Sequence, residues 1–282
     1  MLLQHTYNFL GSLKRKPWAL AAFVTILIYI IIAVLVLTGL MPADPFARDG
    51  QAFMPPGDGF IFGTDYLGRS IAAKVLHGTY IALSVGFIAS SIAIPIGASL
   101  GLAAGYFGKR VDDFVVWLYS TVNSIPSILL LLAISFVMGR GLSSIYLAVA
   151  LTSWTSICRL VRAETFKIKR MPYVTAAKSL GVSKFNIIFK HILPNVFHLV
   201  VIDFSLRFIY AIKSEAILSY LGLGVQGQPS WGIMIADSKN ELLNGYWWQL
   251  AAATAAMFFL VLALNILADH LRDVLDPKTE SD

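Results

Sequence analysis

Long stretches without a charged side chain constrain this chain more than any other feature of its sequence. The first runs from Ala19 to Leu40, about 22 residues, and an α-helix needs about 20 apolar residues to cross the hydrocarbon core of a bilayer. The apolar core of a signal peptide is shorter, about 7–15 residues. We therefore predict an uncleaved first transmembrane helix that enters the membrane from the basic, cytoplasmic side, where Lys14, Arg15 and Lys16 lie.

Five further apolar stretches predict an all-α membrane protein with six transmembrane helices. Six spans place both termini on one side of the membrane, which we predict to be the cytoplasm. The predicted segments are a cytoplasmic N-terminal segment 1–17, spans at 18–40, 78–108, 112–139, 141–161, 195–223 and 246–269, an extracytoplasmic loop 41–77 with a short helix, a cytoplasmic loop 162–194, an extracytoplasmic loop 224–245, and a cytoplasmic tail 270–282.

The charge distribution supports this topology. Only 13% of the residues are charged, against about 25% in a typical soluble domain. The formal net charge of +6 is also compatible with nucleic-acid binding, but the basic residues are scattered between apolar runs. In the predicted topology, fifteen Lys and Arg residues lie on the cytoplasmic side, counting Arg159 at the end of the fourth span, and five lie on the outer side. This asymmetry follows the positive-inside rule, so the loop 162–194 is predicted to face the cytoplasm.

The sequence lacks the residue patterns of an enzyme or a metal site. Cys158 is the single cysteine and the five histidines have no ligand spacing, so we expect no intrachain disulfide and no metal. No phosphate-binding G-x-x-x-x-G-K-[ST] pattern occurs. Gly222–Gly227 matches G-x-G-x-x-G, but it follows a predicted span and not the first strand of a nucleotide-binding unit. We expect no catalytic residue and no cofactor bound by this chain.

Glycine and proline residues predict a packing face and a kink within the spans. Gly97, Gly101 and Gly105 recur every four residues and predict one smooth helix face for close packing. Pro95 predicts a kink in the same span, and Pro126 lies near the centre of the third.

The cytoplasmic loop is predicted to form two helices. Pro172 suits the first turn of a helix, Gly181 can adopt the left-handed conformation that ends it, and Ser183 can cap the next. The second helix should begin at Lys184 and end near Pro194. The alternative is a simple linker between two spans, but more than thirty residues is long for a linker.

This loop resembles the EAA loop of ABC-transporter permease subunits. The similarity lies in Tyr-Val-Thr-Ala-Ala-Lys-Ser-Leu-Gly at 173–181 and in Ile-Leu-Pro at 192–194. It implies that the helices of the loop dock on an ATPase subunit. The residues that match the pattern, with Thr175 at the position where the family usually has Glu, are Thr175, Ala176, Ala177, Gly181, Ile192, Leu193 and Pro194.

Four further segments are similar to the C-type subunit of dipeptide and oligopeptide permeases. They begin at Phe62, Glu215, Gln228 and Asn265, and with the loop they cover about residues 40–278. The resemblance implies a type I ABC importer permease with a permease domain at about 78–270, located in the inner or plasma membrane of a prokaryote. It also implies a second, homologous permease subunit, two ATPase subunits that bind ATP and Mg²⁺, and an extracytoplasmic binding protein.

The resemblance implies di- or oligopeptides as the substrate, and it leaves alternatives. Importers of nickel and of oligosaccharides share the same pattern. An ion-coupled secondary transporter would predict interrupted helices in two related halves, and the sequence shows no such repeat. A membrane scaffold or channel would have no ATPase partner.

The fifth span carries ionisable residues that are costly at membrane depth. Asp203 and Arg207 are four residues apart and can pair on one helix face. The pair is either a packing salt bridge or part of a candidate translocation path in which Arg207 or Lys213 meets a peptide carboxylate. Glu215 lies closer to the outer end, where we expect it to brace the turn between Gly222 and Gly232.

Aromatic residues cluster around the last outer loop. Trp231, with Tyr246, Trp247 and Trp248, is most simply an aromatic anchor at the membrane interface. The family resemblance suggests instead that the 225–245 loop forms a short re-entrant element beside the outer gate. In that interpretation Trp231 and Gly232 lie on the side where a binding protein docks.

Overall fold

The structure is a computed structural model that describes residues 16–57 and 59–275. Within these residues the chain forms α-helices, one π-helical turn and no strand beyond an isolated bridge between Thr64 and Ser70. The helices are α1 Pro17–Leu37, α2 Ile71–Phe107, α3 Lys109–Asn123, α4 Ser127–Met138, α5 Leu142–Ile168, α6 Pro172–Ser179, α7 Lys184–Asn186, α8 Leu193–Tyr220, α9 Trp231–Leu243 and α10 Trp248–Leu275, with the π-helical turn at Ile187–Ile192.

The described residues provide five or six membrane spans, which confirms the all-α membrane fold. Helices α1, α2, α5 and α10 and the continuous stretch Lys184–Tyr220 are each long and apolar enough to cross a bilayer. Helices α3 and α4 become a sixth span only if they are taken together. The cytoplasmic location of the termini stays a prediction, and most of the segments 1–17 and 270–282 lies outside the described residues.

The predicted third span, 112–139, is not one helix. It divides into α3 and α4, whose axes differ by 86°. Pro126 has no backbone N–H and disfavours helical geometry at Ile125. Ser124 ends α3 as its C-cap, and the Asn123 side chain accepts a hydrogen bond of 3.0 Å from the Thr155 hydroxyl. The break is therefore built around Pro126 and supported by a polar contact to α5.

The predicted short outer helix and second span are one helix of 37 residues. Helix α2 begins at Ile71 and continues through Gly78, the predicted boundary, and through Pro95. A Cβ atom at Gly78 would lie 2.7 Å from Cδ1 of Trp231. Gly78 therefore makes room for an aromatic ring and does not end the helix.

The chain divides into two compact units. Among the described residues, unit 1 comprises those of 16–87, 135–145 and 209–275, and unit 2 comprises 88–134 and 146–208. In unit 1, α1 and α9 both pack on α10, and the Tyr29 hydroxyl of α1 donates a 2.8 Å hydrogen bond to the carbonyl of Ala256 in α10.

The glycine repeat of α2 lies directly against α5 in unit 2, as the sequence predicts. A Cβ at Gly101 would lie 2.6 Å from the carbonyl oxygen of Cys158, and one at Gly105 would lie 2.5 Å from Cβ of Thr165. A Cβ at Gly97 would overlap Ile157. At each of the three positions the added Cβ would meet a backbone carbonyl oxygen of α5, that of Trp154 at Gly97, that of Cys158 at Gly101 and, at 2.9 Å, that of Arg162 at Gly105. A backbone atom cannot move aside as a side chain can, so the contact does not admit a larger residue.

The close contact predicts that Gly101→Leu separates α2 from α5. The thiol of Cys158 is buried in this contact and is the only thiol in the chain, so its reaction with a maleimide reports the separation directly. We expect faster labelling and a lower melting temperature in the variant. Ser99→Leu adds the same side chain at an exposed position of α2 and should label at the native rate. Equal rates in both variants would contradict the close contact.

Candidate functional site

The predicted cytoplasmic loop folds as two short helices joined by a tight turn. Pro172 lies in the first turn of α6, and Gly181 has φ +80° at the turn that follows it. The Ser183 hydroxyl accepts a 3.3 Å hydrogen bond from the backbone N–H of Asn186 and caps the next helix. The local conformation therefore matches the prediction from Pro172, Gly181 and Ser183.

The predicted end of the second helix at Pro194 is wrong. The chain passes from α7 through the π-helical turn into α8 without a break, and Pro194 is the second residue of α8. In the π-helical turn the Leu193 N–H donates to the carbonyl of Ile188, five residues back. The Asn195 side chain donates a 2.7 Å hydrogen bond to the carbonyl of His191. The wider turn and this side-chain contact accommodate the proline.

The loop has a buried face that belongs to the core of unit 2. Val174, Ile187 and Ile192 lie in one apolar cluster with Val161 and Ile168 of α5. Lys169 extends this anchorage, because its ammonium group donates to the carbonyl of Tyr106. Burial, and then the nearby charges of Lys178 and Arg170, lower the pKa of Lys169. The loop is therefore part of the folded unit and not a loose linker.

The opposite face of the loop exposes large apolar side chains. Leu180 is 84% exposed and Phe185 is 68% exposed, and Tyr173 and Phe189 are also exposed. Of the residues that match the family pattern, Thr175, Ala176, Gly181 and Pro194 are exposed, Leu193 is half-buried, and Ala177 and Ile192 are buried. Thr175 uses its hydroxyl to donate to the carbonyl of Met171 one turn before it.

A bidentate ion pair joins α3 to α5 near the loop. The Arg162 Nη2 atom lies 2.7 Å from Oδ2 of Asp112, and Nε contacts Oδ1. Asp112 lies in the first turn of α3, where a carboxylate also complements the helix dipole. Together with the α2–α5 contact, this pair fixes the part of α5 that leads into the loop.

Asp203 and Arg207 form the predicted pair. The Arg207 Nε atom is 3.4 Å from Oδ2 of Asp203, and Nη1 donates a 3.3 Å hydrogen bond to the Ser156 hydroxyl of α5. Asp203 is buried and Arg207 is partly exposed. The pair is thus a contact between α8 and α5, within a stretch that is long and apolar enough to cross a bilayer.

The two remaining ionisable residues of the predicted path differ in environment. Lys213 is exposed. Glu215 is buried, accepts a 2.6 Å hydrogen bond from the Ser219 hydroxyl, and also interacts with the Ser230 hydroxyl. Ser230 caps the start of α9. Glu215 therefore holds the beginning and the end of the loop between α8 and α9.

Trp231 is not an interface anchor. Its side chain is 1% exposed, its indole N–H donates a 3.0 Å hydrogen bond to the carbonyl of Val75, and its ring meets Tyr29 edge to face. Gly232 is equally confined, because a Cβ there would lie 2.6 Å from the carbonyl of Ala216. Both residues are packing positions at the start of α9, which a sequence count of aromatic residues does not distinguish from exposed anchors.

The remaining aromatic residues of the predicted belt also differ from one another. Tyr246 stacks on Phe53 with ring centroids 4.1 Å apart. Trp248 donates from its indole N–H to the carbonyl of Thr64 at 3.0 Å. Only Trp247 of this cluster is strongly exposed, so it alone keeps the surroundings expected of an interface anchor.

A buried charge network lies outside the predicted site. Lys74 of α2 donates to Oδ2 of Asp65 at 3.1 Å and to the Gln249 side chain of α10 at 2.8 Å. Asp65 is fully buried and also accepts from Nε of Arg69 at 2.7 Å. Removing one partner of such a pair typically costs about 3–5 kcal/mol. The network connects the 41–70 loop, α2 and α10 within unit 1.

Burial by itself raises the pKa of Asp65. The charge of Lys74 and the backbone N–H groups of Arg69 and Leu67 oppose this effect and lower the pKa overall. Asp65 therefore stays ionised and stabilises the fold above its ordinary pKa, and this contribution is lost as the pH falls through the lowered value. The spacing Asp65, Arg69, Lys74 beside an apolar helix was the only sequence signal for this network.

Two further acids of α9 lie beside the network. Asp237 has its Oδ2 atom 4.0 Å from Nζ of Lys74, and its burial raises its pKa. Glu241 is buried, and its Oε1 atom has no hydrogen-bond partner among the described residues. Burial, and then the charges of Asp65 and Asp237, raise the pKa of Glu241 to about 7 against the opposing charge of Lys74. Glu241 therefore binds a proton more tightly when the chain is folded.

This shift predicts a stability that falls as the pH rises. Between the ordinary pKa of 4.5 and the folded value of about 7, Glu241 binds a proton in the folded state but loses it in the unfolded state. The free energy of unfolding therefore falls as the pH rises through this window. Glu241→Gln keeps the shape and removes the charge. Its melting temperature should equal the native value at pH 4 and exceed it at pH 8. Asp49→Asn removes an exposed acid and should show no such difference; an equal effect of Glu241→Gln at both pH values would refute the assignment.

Comparison with known proteins places the chain in a family. Residues 93–281 match the binding-protein-dependent transport system inner membrane component family. The chain is 34% identical over 279 residues to the dipeptide transport system permease protein DppC of Bacillus subtilis (strain 168), covering 98% of this chain and 87% of the relative. It is 37% identical over 227 residues to the glutathione transport system permease protein GsiD of Pectobacterium atrosepticum, covering 80% and 75%.

A third relative extends the range of peptide substrates named among these proteins. The chain is 34% identical over 229 residues to the oligopeptide transport system permease protein OppC of Bacillus subtilis, covering 81% of this chain and 75% of the relative. The family match covers more than half of the chain, and the helices of the structure supply the membrane spans that such a component needs. The chain belongs to the inner-membrane permease components of binding-protein-dependent transport systems.

Proposed function

We propose that this chain is a transmembrane permease subunit of an ATP-driven importer of di- or oligopeptides, that it forms half of the translocation path, and that it couples the path to ATPase subunits. The observation that carries the proposal is the loop 162–194, which is anchored in unit 2 on one face and exposes apolar side chains on the other. ATP and Mg²⁺ would bind to the ATPase subunits and not to this chain.

The exposed face of the loop has the composition of a docking surface. Leu180, Phe185 and Phe189 are apolar and exposed on a segment that positive charge predicts to be cytoplasmic. Exposed apolar patches with a polar rim mark interaction sites, and Lys178 and Lys184 supply such a rim. A nucleotide-binding subunit with an apolar groove and acidic edges is the partner that fits this surface.

The anchorage of the loop supports a role in coupling. Ile187 and Ile192 pack in the unit 2 core, and the π-helical turn that carries them continues directly into α8. A displacement at the exposed face therefore has two routes into the membrane, through the core contacts to α5 and along the chain into α8. A flexible linker would offer neither.

The proposed substrate class rests on the relatives and not on the loop 162–194. The relatives named above transport dipeptides, oligopeptides and glutathione according to their names, which favours a peptide over nickel or an oligosaccharide for this chain. Further partners would be a second, homologous permease subunit in the membrane and a soluble binding protein on the outer side. An ion-coupled secondary transporter is the alternative, and it would need no ATPase.

The central experiment is purification of the chain with its natural partners, followed by an ATPase assay. We expect vanadate-sensitive ATP hydrolysis that rises when peptide and binding protein are added together. Substitution of peptide by Ni²⁺ or by an oligosaccharide should give no rise. A complex that contains no co-purifying ATPase would refute the proposal.

The turn at Gly181 provides a test of coupling. Gly181→Val introduces a side chain at φ +80°, where L-residues are strained, yet the added Cβ meets no atom within 4 Å. We expect normal membrane insertion, a large loss of peptide uptake, and ATP hydrolysis that no longer responds to peptide. Gly39→Val is the matched control, because Gly39 has φ +71° and equally open surroundings. Normal peptide uptake in Gly181→Val would count against the coupling role.

The Asp203–Arg207 pair provides a test of the path. We propose that Arg207 lines a wet path and meets a peptide carboxylate, since a charge at membrane depth usually faces a cavity or a partner. Arg207→Ala should then reduce uptake at least about tenfold while the importer still assembles. Measurement of uptake in proteoliposomes, with assembly checked by size-exclusion chromatography, separates the two roles. Failure of assembly would show that the pair serves packing alone.

A further inference from the structure

A cavity of about 500 Å³ lies within unit 1, beside the buried charge network. Its walls come from the 41–70 loop, the start of α2, the turn between α4 and α5, the loop between α8 and α9, and the first turns of α9. The volume falls within the range of small-molecule sites, about 300–1,000 Å³. The predicted site residues Trp231 and Gly232 do not line it.

The cavity wall is rich in positive charge. Arg69, Lys74 and Arg140 line it, and Asp237 is the only acid among the lining residues. Gln226 and Gln228 add neutral polar groups from the loop between α8 and α9. Such a wall favours an anionic ligand group over a cation.

Asp65, which does not line the cavity, holds two of the three cations, Arg69 and Lys74, in position. Asp65 is buried and binds Nε of Arg69 and Nζ of Lys74, which leaves the two terminal nitrogens of the guanidinium for a ligand. The Arg69 guanidinium also lies over the ring of Tyr66, 5.6 Å from its centroid. Groups that are fixed before binding lose little conformational entropy when the ligand arrives.

The charge balance indicates a ligand group with one negative charge. Three cations line the cavity, and Asp65 and Asp237 carry two negative charges. One positive charge is therefore left uncompensated while the neighbouring Glu241 holds its proton. Arg140 lies on an exposed turn, and no ion pair holds it among the described residues. A carboxylate supplies the missing charge and can accept two parallel hydrogen bonds from a guanidinium.

We propose that this cavity binds the α-carboxylate of a short peptide, with Arg140 and the terminal nitrogens of Arg69 as hydrogen-bond donors. The inference rests on the proposed function, because it takes the ligand from the peptide class of the importer. A metal cation is disfavoured by the net positive wall, and no cluster of three metal-ligating side chains occurs in the described part of the chain. The volume exceeds that of a single acidic side chain, which favours a free peptide over a residue of a docking protein.

The test is a binding titration on the assembled importer in lipid nanodiscs, without binding protein and without ATP. The probes are dialanine and dialanine amide, which differ in the carboxylate, and binding is followed by saturation-transfer difference NMR. A hydrogen bond to a charged group is worth roughly tenfold to hundredfold in affinity. Dialanine should bind at least about tenfold more tightly than its amide, and Arg140→Gln should remove most of that difference.

Arg48→Gln is the matched control, because Arg48 is an exposed cation of the 41–70 loop that does not line the cavity. It should bind dialanine as the native importer does. Equal binding of the acid and the amide, no binding of either, or an unchanged affinity in Arg140→Gln would overturn the proposal. Weaker capture of the binding protein by Arg140→Gln, with dialanine binding unchanged, would assign the cavity to protein docking and also overturn it. The ATPase assay decides the proposed function separately, since the titration needs no ATP hydrolysis.

Discussion

The structure depends on the absence of water from the hydrocarbon core of the membrane. Each backbone N–H and C=O group must find a partner within the protein there, so a spanning chain forms helices. Where this chain departs from a regular helix, polar side chains supply hydrogen-bond partners for backbone groups. The Ser124 hydroxyl donates to the carbonyl of Thr121 at the break between α3 and α4, and the Asn195 side chain donates to the carbonyl of His191 at the π-helical turn. The irregular positions are therefore specified by side chains as firmly as the helices are by apolar composition.

Two kinds of contact then hold the helices together. In unit 2, glycines replace side chains at the α2–α5 contact, so the backbones themselves approach closely. In unit 1, the ion pairs around Asp65 connect elements that are distant in sequence, with Lys74 bonded to Gln249. The first contact is short-range and tolerates no added atom. The second is electrostatic and responds to protonation of its neighbours.

The sequence predicts those features that depend on local chemistry. Apolar run length predicts the spans, the spacing of Gly97, Gly101 and Gly105 predicts their packing, and Gly181 and Ser183 predict the turn of the cytoplasmic loop. Prediction from the sequence fails where contacts between distant residues determine the environment of a side chain. Trp231 is buried because Gly78 leaves space for its ring, and the network of Lys74 and Gln249 joins residues far apart in the chain. Neither contact leaves a periodic signal in the sequence.

Pro194 constrains the geometry of the loop 162–194. In a regular α-helix its ring would collide with the carbonyl of Lys190, so the wide turn at Ile187–Ile192 cannot tighten into ordinary α geometry while the proline is present. The rotation of α8 about its helix axis is therefore set relative to α7. Relative to a regular α-helix, the wide turn shifts the direction in which Asp203 and the residues after the turn point, compared with Phe185 before it. Pro194 thereby sets how a contact at the exposed face of the loop 162–194 is oriented relative to Asp203 and Arg207 of α8.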